Sequence, residues 1–222
     1  IIKAYASKDY LRADRLVSLG VAASAILTLL ISLPVIVKLE FLMGLWLYKV
    51  PIGAVVICQL LLVKNMFNSF NPLPYTIIVA SGKIKMTNIL CGVISILMLG
   101  IDYLVLLWTH SYVMAFLVGL IQPFSSTIIY LYYCKKYMVT FRVRAFIMRI
   151  YLPLALIAVF TYYVCSYLSG LINNELLGLC VFFVTSTLLI SVSSLTFVID
   201  THVRLKMWHF AKRKLGIGGV TN

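Results

Sequence analysis

The sequence predicts an all-α membrane protein, a bundle of about six transmembrane helices, on three observations. Apolar residues make up 63% of the chain and charged residues 11%, against roughly 45–50% apolar usage in soluble domains. The mean hydropathy is +1.05, and apolar runs of about 20 residues, the length a helix needs to cross hydrocarbon, recur along most of the chain. The segments between these runs alternate between strongly basic and nearly uncharged. A helix satisfies its own backbone hydrogen bonds inside lipid. Barrel strands would show stretches of about ten residues with alternating polarity, and this chain has none.

Six spans are expected, over residues 16–37, 51–70, 86–108, 112–134, 150–172 and 176–199, in one unit covering 1–222 with a basic tail at 200–222. Lys3, Lys8, Arg12 and Arg15 precede the first span, Lys83 and Lys85 follow the second, and Lys135, Lys136, Arg142, Arg144 and Arg149 follow the fourth. Arg204, Lys206, Lys212, Arg213 and Lys214 follow the sixth, which puts sixteen bases on one side against Lys38 and Lys49 on the other. Retention of Lys and Arg in the cytoplasm therefore places both termini inside. The first residue is Ile1 and no signal-peptide pattern precedes the first span, so the chain is expected to be a fragment of something longer.

Of the links, 38–50 carries Phe41, Trp46 and Tyr48 and is expected at headgroup level. The other two outer links are too short to fold alone, which argues against chemistry at that face. Inside, the 135–149 loop and the tail alternate bases with aromatics, as surface segments attracted to anionic membrane lipid do. The charge of +13 is thereby explained without nucleic acid. The stretch Asn71-Pro72-Leu73-Pro74 must end or bend the second span, since each proline removes an N–H and restricts the residue before it.

Five cysteines stand singly in apolar stretches and read as packing residues, with no spacing for a metal site. No Walker loop, HExxH or Ser/His/Asp constellation is present, so neither an enzyme nor a cofactor is expected. The candidates for function are polar groups at membrane depth, because burying them in lipid is costly. Lys64 and Asp102 are the ionisable ones. Counted from the inner end of the second span and the outer end of the third, they fall at different depths, which argues against a direct ion pair. Lys64 either snorkels to the inner headgroups or lines a cavity; Asp102 is too short to snorkel. Gln59 lies nearer the midplane. So does Gln122, followed by Pro123, whose missing donor frees a carbonyl one turn earlier and opens a local break.

Four motifs in order carry a family resemblance. Ile2-Lys3-Ala4-Tyr5-Ala6-Ser7-Lys8-Asp9, Leu33-Pro34, Leu45-Trp46-Leu47-Tyr48-Lys49-Val50-Pro51 and Ala80-Ser81-Gly82-Lys83-Ile84-Lys85 resemble the C-terminal half of polysaccharide (O-antigen type) flippases. These belong to the multidrug/oligosaccharidyl-lipid/polysaccharide exporter superfamily. The chain departs from that pattern at Leu99-Gly100-Ile101-Asp102-Tyr103, where such proteins often show Leu-Pro-Ile-Ser-Tyr.

The resemblance implies one lobe of a two-lobed transporter in the bacterial cytoplasmic membrane, partnered by a missing N-terminal lobe. It implies that an undecaprenyl-diphosphate-linked oligosaccharide is flipped by alternating access, driven by proton or sodium. The rivals are a drug or small-metabolite exporter of the same superfamily, a membrane-embedded enzyme of glycan assembly, and a structural membrane subunit.

Overall fold

The computed structural model describes residues 1–170 and 175–197; the 171–174 link and the basic tail lie outside them. A short helix α1 (Ile2–Ala6) leads into α2 (Tyr10–Val37). The second helix starts six residues before the apolar run because Asp9 caps it, its carboxylate accepting from the Arg12 backbone N–H at 3.1 Å. Ala13, Val17, Val21, Ala25, Leu29 and Leu33 are buried at steps of four. Four residues overshoot a helical turn by about 40°, so this stripe winds around α2 and meets different neighbours along its length.

The chain then folds up and down. After α3 (Leu39–Trp46), the second crossing is α4 (Ala54–Asn68) followed by α5 (Pro72–Ala80), and the third is α6 (Ile84–Thr109). The fourth is α7 (Tyr112–Val118) and α8 (Ile121–Tyr137). The fifth is α9 (Val143–Phe146), one π-helical turn (Ile147–Tyr151) and α10 (Leu152–Gly170), and the sixth is α11 (Glu175–Phe197). Six helical segments are long and apolar enough to span a bilayer, and no strand occurs among the described residues. The chain is an all-α, multi-pass membrane protein.

Two contacts fix the ends of the bundle. Tyr112 donates to the Ile52 carbonyl at 3.1 Å at one end, and Tyr5 donates to the Tyr137 carbonyl at 3.1 Å at the other. The buried core follows α2 against α10 and α11, while α6 exposes Val93, Ile96, Leu97 and Leu104, as a lipid-facing helix does.

Three expectations change. The second span does not stop at residue 70 but bends and runs to Ala80. Pro72 and Pro74 occupy the first turn of α5, where a backbone N–H has no intrahelical partner to lose. The fifth span begins at Val143, not 150. In the 135–149 segment the bases are exposed, but Phe141 and Phe146 are buried and packed together at 5.0 Å between centroids. These two phenylalanines therefore serve the protein core, not the headgroups. Of the cysteines, Cys134 and Cys165 are buried as packing residues, whereas Cys180 is exposed.

Candidate functional site

The bend in the second span resets the depth of Lys64. It lies ten residues below Ala54, about 15 Å along the axis. Asp102 lies seven residues below Thr109, about 10 Å from the same end of the bundle. Measured from the same end the two thus differ by about 5 Å, less than a span ending at residue 70 suggested. Lys64 and Asp102 line one open pocket of about 180 Å³, together with Leu60, Leu61, Ala115, Phe116 and Gly119.

Lys64 does not snorkel. Its ammonium donates to Gln122 Oε1 at 3.1 Å. Gln122 in turn donates through Nε2 to Ser95 Oγ at 3.0 Å, and Ser95 donates to the Cys91 carbonyl at 2.9 Å. This polar relay ties α4, α8 and α6 together across what is otherwise apolar packing. An ammonium has three donors, so two remain for a ligand or water.

Asp102 is in the opposite condition. Its Oδ1 is buried without any hydrogen-bond partner, and no ion pair joins it to Lys64 among the described residues; Gln122 is the partner Lys64 has. Such a group costs about 1–3 kcal/mol to leave unsatisfied. Its other oxygen lies 3.6 Å from where a Cβ on Gly119 would stand, an ordinary contact distance, so the carboxyl packs beside the fourth span at Gly119.

Gly119 matters for a second reason. The fourth span breaks between α7 and α8, at Gly119 and Leu120. Pro123 supplies no N–H to the Gly119 carbonyl one turn before it, and Leu120 closes the gap with a tighter bond to the Leu117 carbonyl at 3.2 Å. The break expected at Pro123 is thus displaced by one turn and opens on the pocket.

Of the residues singled out from the sequence, the structure brings Lys64, Asp102 and Gln122 into one neighbourhood, and Gln59 into another. Gln59 donates through Nε2 to the Ile36 carbonyl at 2.9 Å. That carbonyl belongs to the last turn of α2, where the helix offers no donor of its own. Gln59 therefore caps α2 and does not line the pocket.

Sequence reasoning passed over Ser95 and Gly119. Ser95 precedes Asp102 by seven residues, two turns along the same face of α6, and Gly119 precedes Pro123 by the four residues that identify the freed carbonyl. Asn71 was read only as part of a helix breaker. Its Oδ1 lies 2.7 Å from the Thr127 hydroxyl, which is also 2.8 Å from the Pro123 carbonyl, so it ties the bend of the second span to α8.

Compared with protein-family models, curated proteins and solved structures, the chain has no match. What the fold and the pocket define by themselves is a polytopic helical membrane protein with a polar, partly unsatisfied site at membrane depth.

Proposed function

We propose that this chain is one lobe of a transporter that carries a lipid-linked oligosaccharide across the bacterial cytoplasmic membrane. The two termini lie in the cytoplasm in this reading, and an N-terminal lobe supplies the facing wall. The observation that carries it is the pocket where Lys64 and Asp102 meet without pairing. Ionisable groups at membrane depth that face a cavity mark a path for polar cargo or ions, and here Asp102 Oδ1 has no hydrogen-bond partner while Lys64 has only the neutral Gln122.

Lys64 offers a cation to the diphosphate of such a cargo, and the sugar hydroxyls find acceptors at Asp102 and the Gly119 carbonyl. The lipid tail stays in the bilayer. A proton or sodium ion entering at Asp102 would couple the cycle. The break beside Gly119 allows α7, whose Ala115 and Phe116 wall the pocket, to move independently of α8, as alternating access requires.

A drug or small-metabolite exporter is the second reading, favoured by the unpaired Asp102 oxygen, which suits an organic cation. Deletion of the gene in its host separates the two. Loss of the surface glycan with lipid-linked intermediates accumulating inside supports the first reading; an unchanged glycan with new sensitivity to cationic drugs supports the second. At the level of the site, cysteines replacing Lys64 and Asp102, in a full-length background without the native cysteines, are expected to react with a water-soluble thiol reagent. No reaction from either side would remove the pocket from the transport path.

A further inference from the structure

The end of the bundle opposite the pocket gathers charges that the transport reading leaves without a partner. Eleven bases of the described residues fall at this end, against Lys38 and Lys49 at the other. Most sit on helix ends near the links, and two of them stand over aromatic rings. The Lys83 ammonium, from the turn before α6, stands 5.8 Å from the centroid of the Tyr137 ring. The Lys136 ammonium stands 5.7 Å from the Tyr133 ring, and these two rings are themselves 5.7 Å apart.

Tyr137 is held in turn by the hydrogen bond its carbonyl accepts from Tyr5, so three segments of the chain converge on one tyrosine pair. Both lysines are exposed, and neither has a carboxylate partner among the described residues. Bases that served only to orient the chain would need no aromatic mounts. Three residues after Lys83, Met86 on α6 is 56% accessible, and four residues before Lys136, Tyr132 on α8 is 61% accessible; exposed apolar surface continues along α6 through Ile89, Leu90 and Val93.

We infer that Lys83 and Lys136, seated on Tyr137 and Tyr133, form a headgroup site for an anionic phospholipid whose acyl chain lies along Met86 and Tyr132. The ammonium groups receive the phosphate, and the rings sit at the depth of the ester groups, where tyrosine is favoured. A soluble phosphate compound would use the lysines and leave the apolar strip idle. The site is independent of which cargo the pocket carries.

The test uses the full chain in detergent micelles, with bound lipid counted by native mass spectrometry. Phosphatidylglycerol should bind in preference to phosphatidylcholine of the same chains, and the preference should weaken as salt rises. Lys83→Gln with Lys136→Gln should lower it roughly thirtyfold at low salt, from the attraction expected per base near a lipid surface. Lys83→Arg with Lys136→Arg should keep it, and Lys38→Gln with Lys49→Gln, the same charge change at the other end, should leave it unaltered. In the unmodified protein, phosphatidylglycerol should shield the Lys83 and Lys136 amines from acylation, a readout that needs no variant to fold. Equal binding of the two lipids, unshielded amines, an equal loss from the Lys38 and Lys49 changes, or displacement of the lipid by an equal concentration of inorganic pyrophosphate would each overturn the proposal.

Discussion

Replacing Asp102 by leucine should make the protein more stable while abolishing the transport proposed for it. The carboxyl oxygen Oδ1 is buried with no partner, and an unsatisfied buried polar atom costs about 1–3 kcal/mol. Leucine removes that penalty. Its two methyl groups take the places of the two carboxyl oxygens, and their slightly larger volume has room in the pocket of about 180 Å³ beside Leu60, Leu61 and Phe116, so overpacking does not cancel the gain. In a chain of this size each kcal/mol corresponds to about 2–4 °C in melting temperature, which circular dichroism of the detergent-solubilised protein resolves. Asp102→Asn is the comparator: it leaves an amide in the same unpartnered place and should recover little of the gain. Surface glycan displayed by a deletion host carrying each variant measures transport in parallel. A leucine variant that melts below the native protein would refute the reasoning, because Asp102 would then be supporting the fold instead of being held against it.

Gly53 has φ +81°, and a Cβ there would stand 2.6 Å from the Tyr112 hydroxyl; Gly53→Ala should therefore cost about 2–3 kcal/mol, from left-handed strain of about 1–2 kcal/mol plus the bond from Tyr112 to Ile52. Combining it with Tyr112→Phe, in thermal unfolding, should show the two losses to be less than additive. Tyr5→Phe should lose about 0.5–1.5 kcal/mol at neutral pH with its hydrogen bond to Tyr137. Burial, and then the neighbouring Tyr10, Cys134 and Tyr137, raise the Tyr5 phenol above its ordinary value. The folded state then holds this proton more tightly than the unfolded one, so stability falls as pH rises past the ordinary tyrosine range; the Phe variant should show a shallower alkaline loss. Pro123→Ala restores a donor for the Gly119 carbonyl and should close the break between α7 and α8, lowering thiol labelling of a cysteine put in place of Asp102. Undiminished labelling would show that the break does not depend on the proline.

How much of this was legible in the sequence follows from which forces act locally. Bilayer thickness and apolar run length are local, so the six spans, and the third of them almost to the residue, could be read directly. Asn71-Pro72-Leu73-Pro74 could not be resolved, because two prolines end a helix when they fall in its interior and begin one when they fall in its first turn. What accompanies the second outcome is long-range, such as the hydrogen bond between Thr127 and Asn71 across 56 residues of sequence. That one ambiguity carried forward: it set the depth of Lys64, and the depth of Lys64 decided whether it could share a pocket with Asp102. The role of Gln59 was hidden likewise, since a glutamine that caps another helix and one that lines a cavity look the same in one dimension.

The same division explains why the pocket lies where it does. The buried stripe of α2 packs against α10 and α11, and these three crossings hold most of the buried apolar cluster. The second, third and fourth crossings have little buried surface, and each of the second and fourth is broken by a proline-linked bend. Beside apolar contacts such as Phe67 on Phe124 and Tyr75 on Tyr130, they are joined by polar ties, Lys64 to Gln122, Gln122 to Ser95 and Thr127 to Asn71. Polar ties in hydrocarbon are worth less than their vacuum strength suggests, because a displaced group finds another partner. A segment held by such ties can change partners at small cost, whereas one held by interlocked apolar packing cannot move without opening cavities. In the proposed transport cycle, Lys64 and Asp102 thus belong to the half of the bundle expected to rearrange, with the half built on α2 as the frame against which it would do so.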